Sequence, residues 1–401
     1  MKKIVIKNGK VITPYKIFEE GTVVIEDEKI IAVGSKEYDQ PRNAEVINAR
    51  GLNVSPGLID VHIHGSGGAS CRTLKSGDIK KVSIFLAKHG TTGFFPTISG
   101  LSENGLQHYD AVKDAKEEGV NGAQILGIHD ESVYKNPKKL GAASPHILKK
   151  PDIAEFGTVI EKAEGLLRLV TLAPELENGV QLVKHLTKKN IVSSIGHSFA
   201  TYDQVCEAID AGLSHVCHTY NGMRELHHRE PGVVGTVLSR DELTAELISD
   251  NHHVGIIAMR ILIRCKGTDN IVLITDAGEL AGLPDGEYTP ERLKGHQRAK
   301  SLIVKDYKVF YRSPTIGSIM SEDVQISGSA STLIRNVGIN VTLVGTPLKE
   351  AIKMASTNPA REFQLTEKGS LTPGKDADII LFDNNFKIKQ TIIQGKTVYK
   401  T

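Results

Sequence analysis

The two ends of the chain differ from its middle in the spacing of apolar residues. Short β-branched runs, separated by Asn-Gly and charged turns, fill residues 4–34, and residues 378–399 have the same texture. Runs of this kind predict strands. Because neither end has enough apolar residues to bury a core alone, we predict one small β-sandwich domain built from both termini, residues 1–54 plus 368–401.

The middle of the chain, residues 55–367, contains eight short apolar runs, most of them followed by a stretch with helical apolar spacing. The runs are 59–64, 93–97, 124–131, 167–175, 191–197, 214–218, 244–253 and 270–276. The predicted helices include 105–118, 180–189 and 202–211. This alternation indicates an α/β fold with a parallel sheet, and eight such units fit a TIM-like (β/α)8 barrel. A doubly wound open sheet is the alternative, but no GxGxxG motif supports a Rossmann site.

The composition narrows the class of protein. The 401 residues are 40% hydrophobic and 24% charged, with a net charge of +2 and no basic block, which argues against nucleic acid as the main partner. No apolar run approaches membrane-spanning length and the N-terminal residues alternate, so we expect neither a membrane segment nor a signal peptide. The four scattered cysteines are typical of a reducing compartment, which predicts a cytoplasmic protein. Cys217 is next to His218 and is a candidate metal ligand, but neighbours in a strand face opposite sides, so we expect it to pack against helices.

Metal-type ligands end several of the predicted strands. His62 and His64 are two residues apart, so in a strand they point to the same face. The other candidates, each at the end of a later run, are Glu131, His197, His218 and Asp276. Each has a simpler explanation as a helix cap, a turn residue or a rim salt bridge. Together they predict a divalent metal site at the carboxyl ends of the barrel strands, and zinc, iron or manganese suits such donors. Asp276 is our candidate for the general base of a hydrolysis.

A series of longer motifs extends this pattern over nearly the whole chain. The motifs occupy residues 56–65, 90–97, 127–131, 196–198, 218–223, 228–232, 250–254, 275–277, 355–360 and 374–379. In order and spacing they resemble the N-acetylglucosamine-6-phosphate deacetylase family of the amidohydrolase superfamily. The resemblance implies metal-dependent release of acetate from an amino-sugar 6-phosphate by a homodimer whose active site is completed across the interface.

The resemblance also implies roles for individual residues. Glu131, His197 and His218 match the principal metal ligands, and His62 and His64 match the pair that holds a second ion with Asp276, so one or two ions are expected. Asp276 matches the general base and acid. The positions matching substrate contacts are Asn221, Gly222, Arg229, His253 and Ala142, with His252 as a neighbouring alternative to His253.

Three departures from the family pattern bear on the sugar. The family follows its glutamate with Gly-Pro and an aromatic residue, where this chain has Ser132-Val133-Tyr134. The family's sugar-contacting histidine is replaced by Ala143, with His146 as a nearby substitute, and residues 285–330 lose the family's hairpin. Another N-acetylhexosamine phosphate, such as N-acetylgalactosamine 6-phosphate, or another small N-acyl compound is therefore an alternative substrate. The fourth strand ends without the bridging lysine of other superfamily branches, and a catalytically silent scaffold is a remote alternative because no metal ligand is lost.

Overall fold

The computed structural model describes residues 2–35, 44–141, 145–289, 301–312 and 326–401. The strands are β1 Lys3–Ile12, β2 Ile17–Glu26, β3 Lys29–Gly34, β4 Glu45–Asn48, β5 Asn53–Pro56, β6 Leu58–Ile63, β7 Gly65–Ser66, β8 Ala69–Ser70, β9 Thr91–Ile98, β10 Gln124–Ile125, β11 Ile128–Glu131, β12 Leu167–Leu172, β13 Val192–Ile195, β14 His215–Val216, β15 Thr244–Ile248, β16 Ile271–Ile274, β17 Gly286–Tyr288, β18 Ser301–Lys305, β19 Lys308–Arg312, β20 Ile326–Ser329, β21 Ile379–Phe382, β22 Ile388–Ile393 and β23 Lys396–Lys400.

The α-helices are α1 Ser76–Lys88, α2 Gly105–Glu117, α3 Ile153–Ala163, α4 Gly179–Lys188, α5 Tyr202–Asp210, α6 Gly232–Ser239, α7 Ile256–Lys266, α8 Leu333–Ile339, α9 Leu348–Ala355 and α10 Thr357–Glu362. Three short 3-10 helices and one π-helix complete the described helical turns: Pro137–Lys139, Pro145–Ile147, Thr268–Asn270 and Asn340–Val344. No described helix combines the length and the apolar character needed to cross a membrane.

A separate β-domain is built from both termini, as predicted. Its strands form one hydrogen-bonded sheet in the order β23-β22-β21-β5-β1-β2-β3, with β4 pairing with β1. The two ends of the chain meet where β5 pairs antiparallel with β21, with Val54 opposite Leu381. Apolar residues from both ends, among them Ile4, Val23 and Ile392, are buried together in a core of their own.

The middle of the chain is a barrel of eight parallel strands, which confirms the predicted (β/α)8 fold. The strands follow one another as β6, β9, β11, β12, β13, β14, β15 and β16. The barrel closes between β16 and β6, where the Asp276 N–H donates to the His62 carbonyl at 2.9 Å and Ile63 bridges Ala277. A doubly wound open sheet would leave these two strands as edges, so closure excludes it.

The local sequence explains why the helices lie where they do. In α4, Leu182, Val183 and Leu186 are buried, which is the apolar stripe of a helix packed on a sheet. Helix α5 begins with a capping box, in which the Thr201 side chain accepts from the Gln204 N–H and Gln204 accepts from the Thr201 N–H. Helices α2, α4 and α5 lie within a residue of the predicted limits at each end.

An antiparallel sheet follows the last barrel strand. Strands β17, β18, β19 and β20 pair in sequence order, and β18 and β19 form a tight hairpin. The expectation that residues 285–330 lack a hairpin is therefore wrong. Alternating apolar and polar residues in 301–312 form one, although the sequence there differs from the family motif. The sheet leads back to the barrel rim at Ser329, whose N–H donates to the Asp276 carbonyl at 3.0 Å.

Candidate active site

Three of the predicted ligands have an unusual backbone conformation just beyond the barrel strands. His197, His218 and Asp276 have φ angles of 49°, 31° and 49°. Left-handed conformations cost an ordinary residue roughly 1–3 kcal/mol and are concentrated at functional sites. The turn that follows each strand therefore departs from extended geometry at the residue whose side chain the sequence marks as a ligand.

Glu131, His197 and His218 form one compact group. The Nε2 atom of His197 lies 2.8 Å from Glu131 Oε1 and 3.2 Å from His218 Nε2, and His218 Nε2 lies 3.7 Å from Glu131 Oε1. The Nδ1 atom of His197 lies 2.8 Å from the Lys139 carbonyl, which accepts its proton and leaves Nε2 facing the group.

His62, His64 and Asp276 form a second group beside the first. The Oδ1 atom of Asp276 lies 3.4 Å from His62 Nε2 and 3.2 Å from His64 Nε2. His64 Nε2 also lies 3.6 Å from Glu131 Oε2, so the two groups are in contact. The structure thus brings all six predicted ligand and base residues together at the carboxyl end of the barrel.

The geometry of both groups fits a divalent cation. Donor atoms that bind zinc at about 2.1 Å in tetrahedral geometry lie about 3.4 Å from one another, close to the separations found here. The three donors of the second group all lie within 4.8 Å of one another. The buried His62 Nε2 makes no hydrogen bond with the described residues, as expected of an atom that awaits a ligand. These residues can therefore hold a metal ion at each position.

Two cations that the sequence analysis missed flank Glu131. Lys135 Nζ lies 3.1 Å from Oε1 with its side chain 7% exposed, and Arg72 Nη2 lies 3.4 Å from Oε2. Burial opposes ionisation of Glu131, but Lys135 and the two histidines hold its pKa well below the usual range. Burial, reinforced by the charge of Lys135, lowers the pKa of His197 to about 4, so its imidazole is neutral at pH 7 and available as a ligand. Lys135 is four residues beyond Glu131, but nothing in the sequence indicates that its side chain turns back.

Cys217 lies inside the barrel rather than against the helices. Its Sγ is 3.7 Å from His62 Nδ1, and the thiol is close enough to Glu131 and His218 to share a metal with them. The expectation was wrong because strand alternation ends at Val216, where β14 stops, and His218 is left-handed. The structure pairs none of the four cysteines in a disulfide.

A carboxylate holds His253 on the side of the site that faces β20. The Nδ1 atom of His253 lies 2.7 Å from Asp250 Oδ2, while Asp250 Oδ1 accepts the backbone N–H groups of His252 and His253. Ser329 donates to Asp250 Oδ2 at 3.0 Å, which connects this pair to the residue that bonds the Asp276 backbone. Burial lowers the pKa of His253, but Asp250 outweighs burial, so the pKa is raised.

Of the other predicted substrate residues, Gly222 and Asn221 lie beside the histidines. A Cβ at Gly222 would lie 3.0 Å from His197 Nδ1, and its φ of 58° also favours glycine. The Asn221 N–H donates to the His218 carbonyl at 2.9 Å. Arg229 is exposed, with its Nη1 2.8 Å from His228 Nε2, and no contact among the described residues connects it to the histidine groups.

The residues that depart from the family pattern have mixed positions. Ser132 and Tyr134 are buried: Ser132 Oγ donates to the Thr171 carbonyl of β12 at 2.7 Å, and the Tyr134 ring packs against Phe156 of α3. His146 is exposed in its 3-10 helix. Ala142 and Ala143 lie outside the described residues.

Comparison with known proteins agrees with this geometry. The sequence model of the amidohydrolase family matches residues 53–398. An N-acetylglucosamine-6-phosphate deacetylase from Bacillus subtilis (strain 168) is 30% identical over 99% of this chain and 98% of its own length. An N-acetylgalactosamine-6-phosphate deacetylase from Escherichia coli O157:H7 is 34% identical over 85% of this chain and 86% of its own length. The structure of a variant N-acetyl-D-glucosamine-6-phosphate deacetylase from Mycobacterium smegmatis, in complex with N-acetyl-D-glucosamine-6-phosphate, is 26% identical with a TM-score of 0.88 over 100% of both chains. The chain therefore belongs to the amidohydrolase family, in which it groups with these deacetylases.

Proposed function

We propose that this protein hydrolyses the N-acetyl amide of an N-acetylhexosamine 6-phosphate and releases acetate. The observation that carries the proposal is the meeting of four imidazoles and two carboxylates at one barrel rim, with the Asp250–His253 pair beside them. The names of the relatives support the substrate class.

Glu131, His197 and His218 would hold the tighter metal ion, and His62 and His64 would hold a second, weaker ion with Asp276. Zinc is the expected ion, since imidazole and carboxylate donors suit it, and iron and manganese are the alternatives. A bound metal ion supplies Lewis acidity toward a water molecule and the amide carbonyl.

Asp276 moves the protons of the reaction. Its side chain is 16% exposed, so a substrate can reach it. Burial raises the pKa of Asp276, but His62 and His64 outweigh burial, so the pKa lies below the usual range and the carboxylate is ionised. The carboxylate accepts a proton from the attacking water and returns it to the amide nitrogen. When the C–N bond breaks, the nitrogen then leaves as a neutral amine and not as a strongly basic amide anion.

The phosphate is recognised by groups away from the scissile amide. His253 carries a positive charge more readily than an ordinary histidine, because Asp250 lies against it. Gly222, whose backbone lies beside His197, and the adjacent Asn221 are the further residues assigned to the phosphate. The guanidinium of Arg229 fits phosphate oxygens in a bidentate manner.

We also propose that Arg229 contributes to the site of a partner chain in a homodimer, because it is exposed and makes none of the described contacts with its own site. An apolar patch is available for such an interface: Ile257 and Ile261 are 66% and 44% exposed on one face of α7, and Leu343 is 44% exposed. Leu343 lies next to α7, since its carbonyl accepts a hydrogen bond from Arg260 of α7 at 2.8 Å. The unpaired thiols support a reducing, cytoplasmic location.

N-acetylglucosamine 6-phosphate is the first candidate substrate, because the Bacillus subtilis relative is named for it. N-acetylgalactosamine 6-phosphate is the second, because the Escherichia coli relative named for it is 34% identical to this chain. An acetate-release assay with the 6-phosphates of N-acetylglucosamine, N-acetylgalactosamine and N-acetylmannosamine, on metal-analysed protein, tests both candidates. The unphosphorylated sugars serve as controls. Release of acetate from none of the three phosphates, by protein that holds its metal, would contradict the proposal.

A further inference from the structure

Glu246 is a fully buried carboxylate in β15 to which the sequence analysis gave no role. Its side chain is 0% exposed in the barrel interior. Burying an ion costs several kcal/mol unless it is paired and hydrogen-bonded, so the partners of such a group indicate what it is for. Glu246 has three close partners, and two of them are the predicted ligands His62 and His218.

The first partner is the ring of His62. Glu246 Oε2 lies 2.9 Å from His62 Nδ1. When Nδ1–H donates to this carboxylate, the lone pair of His62 is on Nε2, which lies toward Asp276 and is the atom that a metal would bind. The contact therefore selects both the tautomer and the rotation of the ring.

The second partner is the backbone of His218. The same Oε2 atom accepts the His218 N–H at 2.8 Å. The φ of 31° at His218 is unfavourable for an ordinary residue, so the turn needs contacts that hold it. Since His218 belongs to the Glu131 group and His62 to the Asp276 group, one oxygen atom contacts both groups.

The third partner anchors Glu246 from behind. Its Oε1 lies 3.2 Å from His215 Nε2, and His215 Nδ1 lies 3.3 Å from Glu362 Oε1. Glu362 Oε2 in turn accepts from the Thr244 hydroxyl at 2.8 Å. A carboxylate held at one oxygen by this chain of contacts has little freedom to move its other oxygen.

We propose that Glu246 is a positioning residue that orients one ligand in each of the two metal groups, so that loss of its carboxylate weakens metal binding at both positions. The inference rests on the function proposed above only in that it requires metal binding by these residues. It predicts a defect in metal binding that can be measured without substrate and that causes any loss of activity.

The test compares three substitutions by competition with a chelating dye, using Zn²⁺ and Co²⁺ and no substrate. Glu246→Ala and Glu246→Asp should weaken binding at both positions by about ten- to a hundredfold, the usual effect of losing the partner of a ligand. The visible spectrum of bound Co²⁺, which reports ligand geometry, should change as well. Glu246→Gln keeps an acceptor oxygen for His62 Nδ1–H and the His218 N–H, and should recover most of the affinity.

Asp130→Asn is the matched control. Asp130 is a buried barrel carboxylate whose side chain accepts from the Gly100 N–H and the Tyr109 hydroxyl and contacts no predicted ligand side chain. Its variant should bind both ions normally. Wild-type affinity and an unchanged Co²⁺ spectrum in folded Glu246→Asp protein would overturn the inference, even if Glu246→Ala does not fold. Wild-type protein that binds metal but cleaves no hexosamine phosphate would contradict the proposed function and leave this inference standing.

Discussion

The imidazole of His253 and the carboxylate of Asp250 form a 2.7 Å pair at the edge of the candidate site. The pair raises the pKa of His253 above its ordinary value of 6.5 despite burial. In Asp250→Asn, the same burial acts without the compensating charge, so the pKa of His253 should fall.

Asp250→Asn should therefore increase KM for a 6-phosphate substrate. In both proteins KM should rise with pH as His253 loses its proton, and in the variant this rise should begin at a lower pH. The stability contribution has the corresponding sign: it is fully present below the unfolded pKa of about 6.5 and is lost as pH rises through the higher folded pKa. Melting temperatures of the two proteins should differ more at pH 5.5 than at pH 9. Parallel KM profiles would exclude His253 as the titrating group.

Asp276→Asn should lower kcat by about 10²–10⁴-fold or more, because a general acid–base contribution of that size is lost and the same group acts in both proton transfers. The tighter metal ion should remain, because Glu131, His197 and His218 are unchanged, and the amide oxygen can replace Oδ1 near His62 and His64. Elemental analysis alongside steady-state kinetics checks this outcome. Near-wild-type turnover at full occupancy would show that another group is the base.

Replacing both His62 and His64 by Ala should leave about one ion per chain, because Glu131, His197 and His218 remain as ligands. His197→Ala or His218→Ala should instead remove metal and activity together. His185→Ala, on α4, is the matched control and should bind metal normally. The measurement is the metal content after dialysis. Two ions per chain in the double variant would contradict the assignment of His62 and His64 to the second ion.

Arg229→Ala should weaken transition-state binding of a 6-phosphate substrate by about 1.5–3 kcal/mol, the range for hydrogen bonds to charged groups, which corresponds to roughly 10–150-fold in kcat/KM. The unphosphorylated sugar should lose little. Arg240→Ala is the control, since that guanidinium bonds Glu242 at 2.7 Å. Equal losses on the two substrates, or full activity in a strictly monomeric protein by light scattering, would defeat the proposed role.

Thr201→Ala should lower the free energy of unfolding by about 1 kcal/mol, because the capping box of α5 loses its side-chain acceptor. Thr201→Ser should restore most of the loss, since the hydroxyl returns. Denaturant unfolding of the three proteins measures both effects. A Ser variant no better than Ala would show that the methyl group, not the cap, is what stabilises the helix.

The fold was predictable because its signals are local. Strand alternation and helical spacing act over a few residues, and they located the eight barrel strands and placed His62 and His64 on one face. The contacts missed are mainly those that join distant parts of the chain: Arg72 lies against Glu131, and Glu246 contacts His62 from a strand two places away in the barrel. Cys217 was misplaced because the rule of alternation was applied beyond the end of its strand.

The pairing of β5 with β21 has a consequence for biosynthesis. Strand β5 lies between β1 and β21, and only Gly57 separates it from β6, the strand that carries His62. Chains emerge from the ribosome N-terminus first, yet β5 lacks one of its neighbours until residues 379–382 have been made. The sheet next to the first barrel strand is therefore completed only by residues translated more than 300 positions later. A nascent chain stalled before β21 would hold its metal-binding strand on an unfinished sheet.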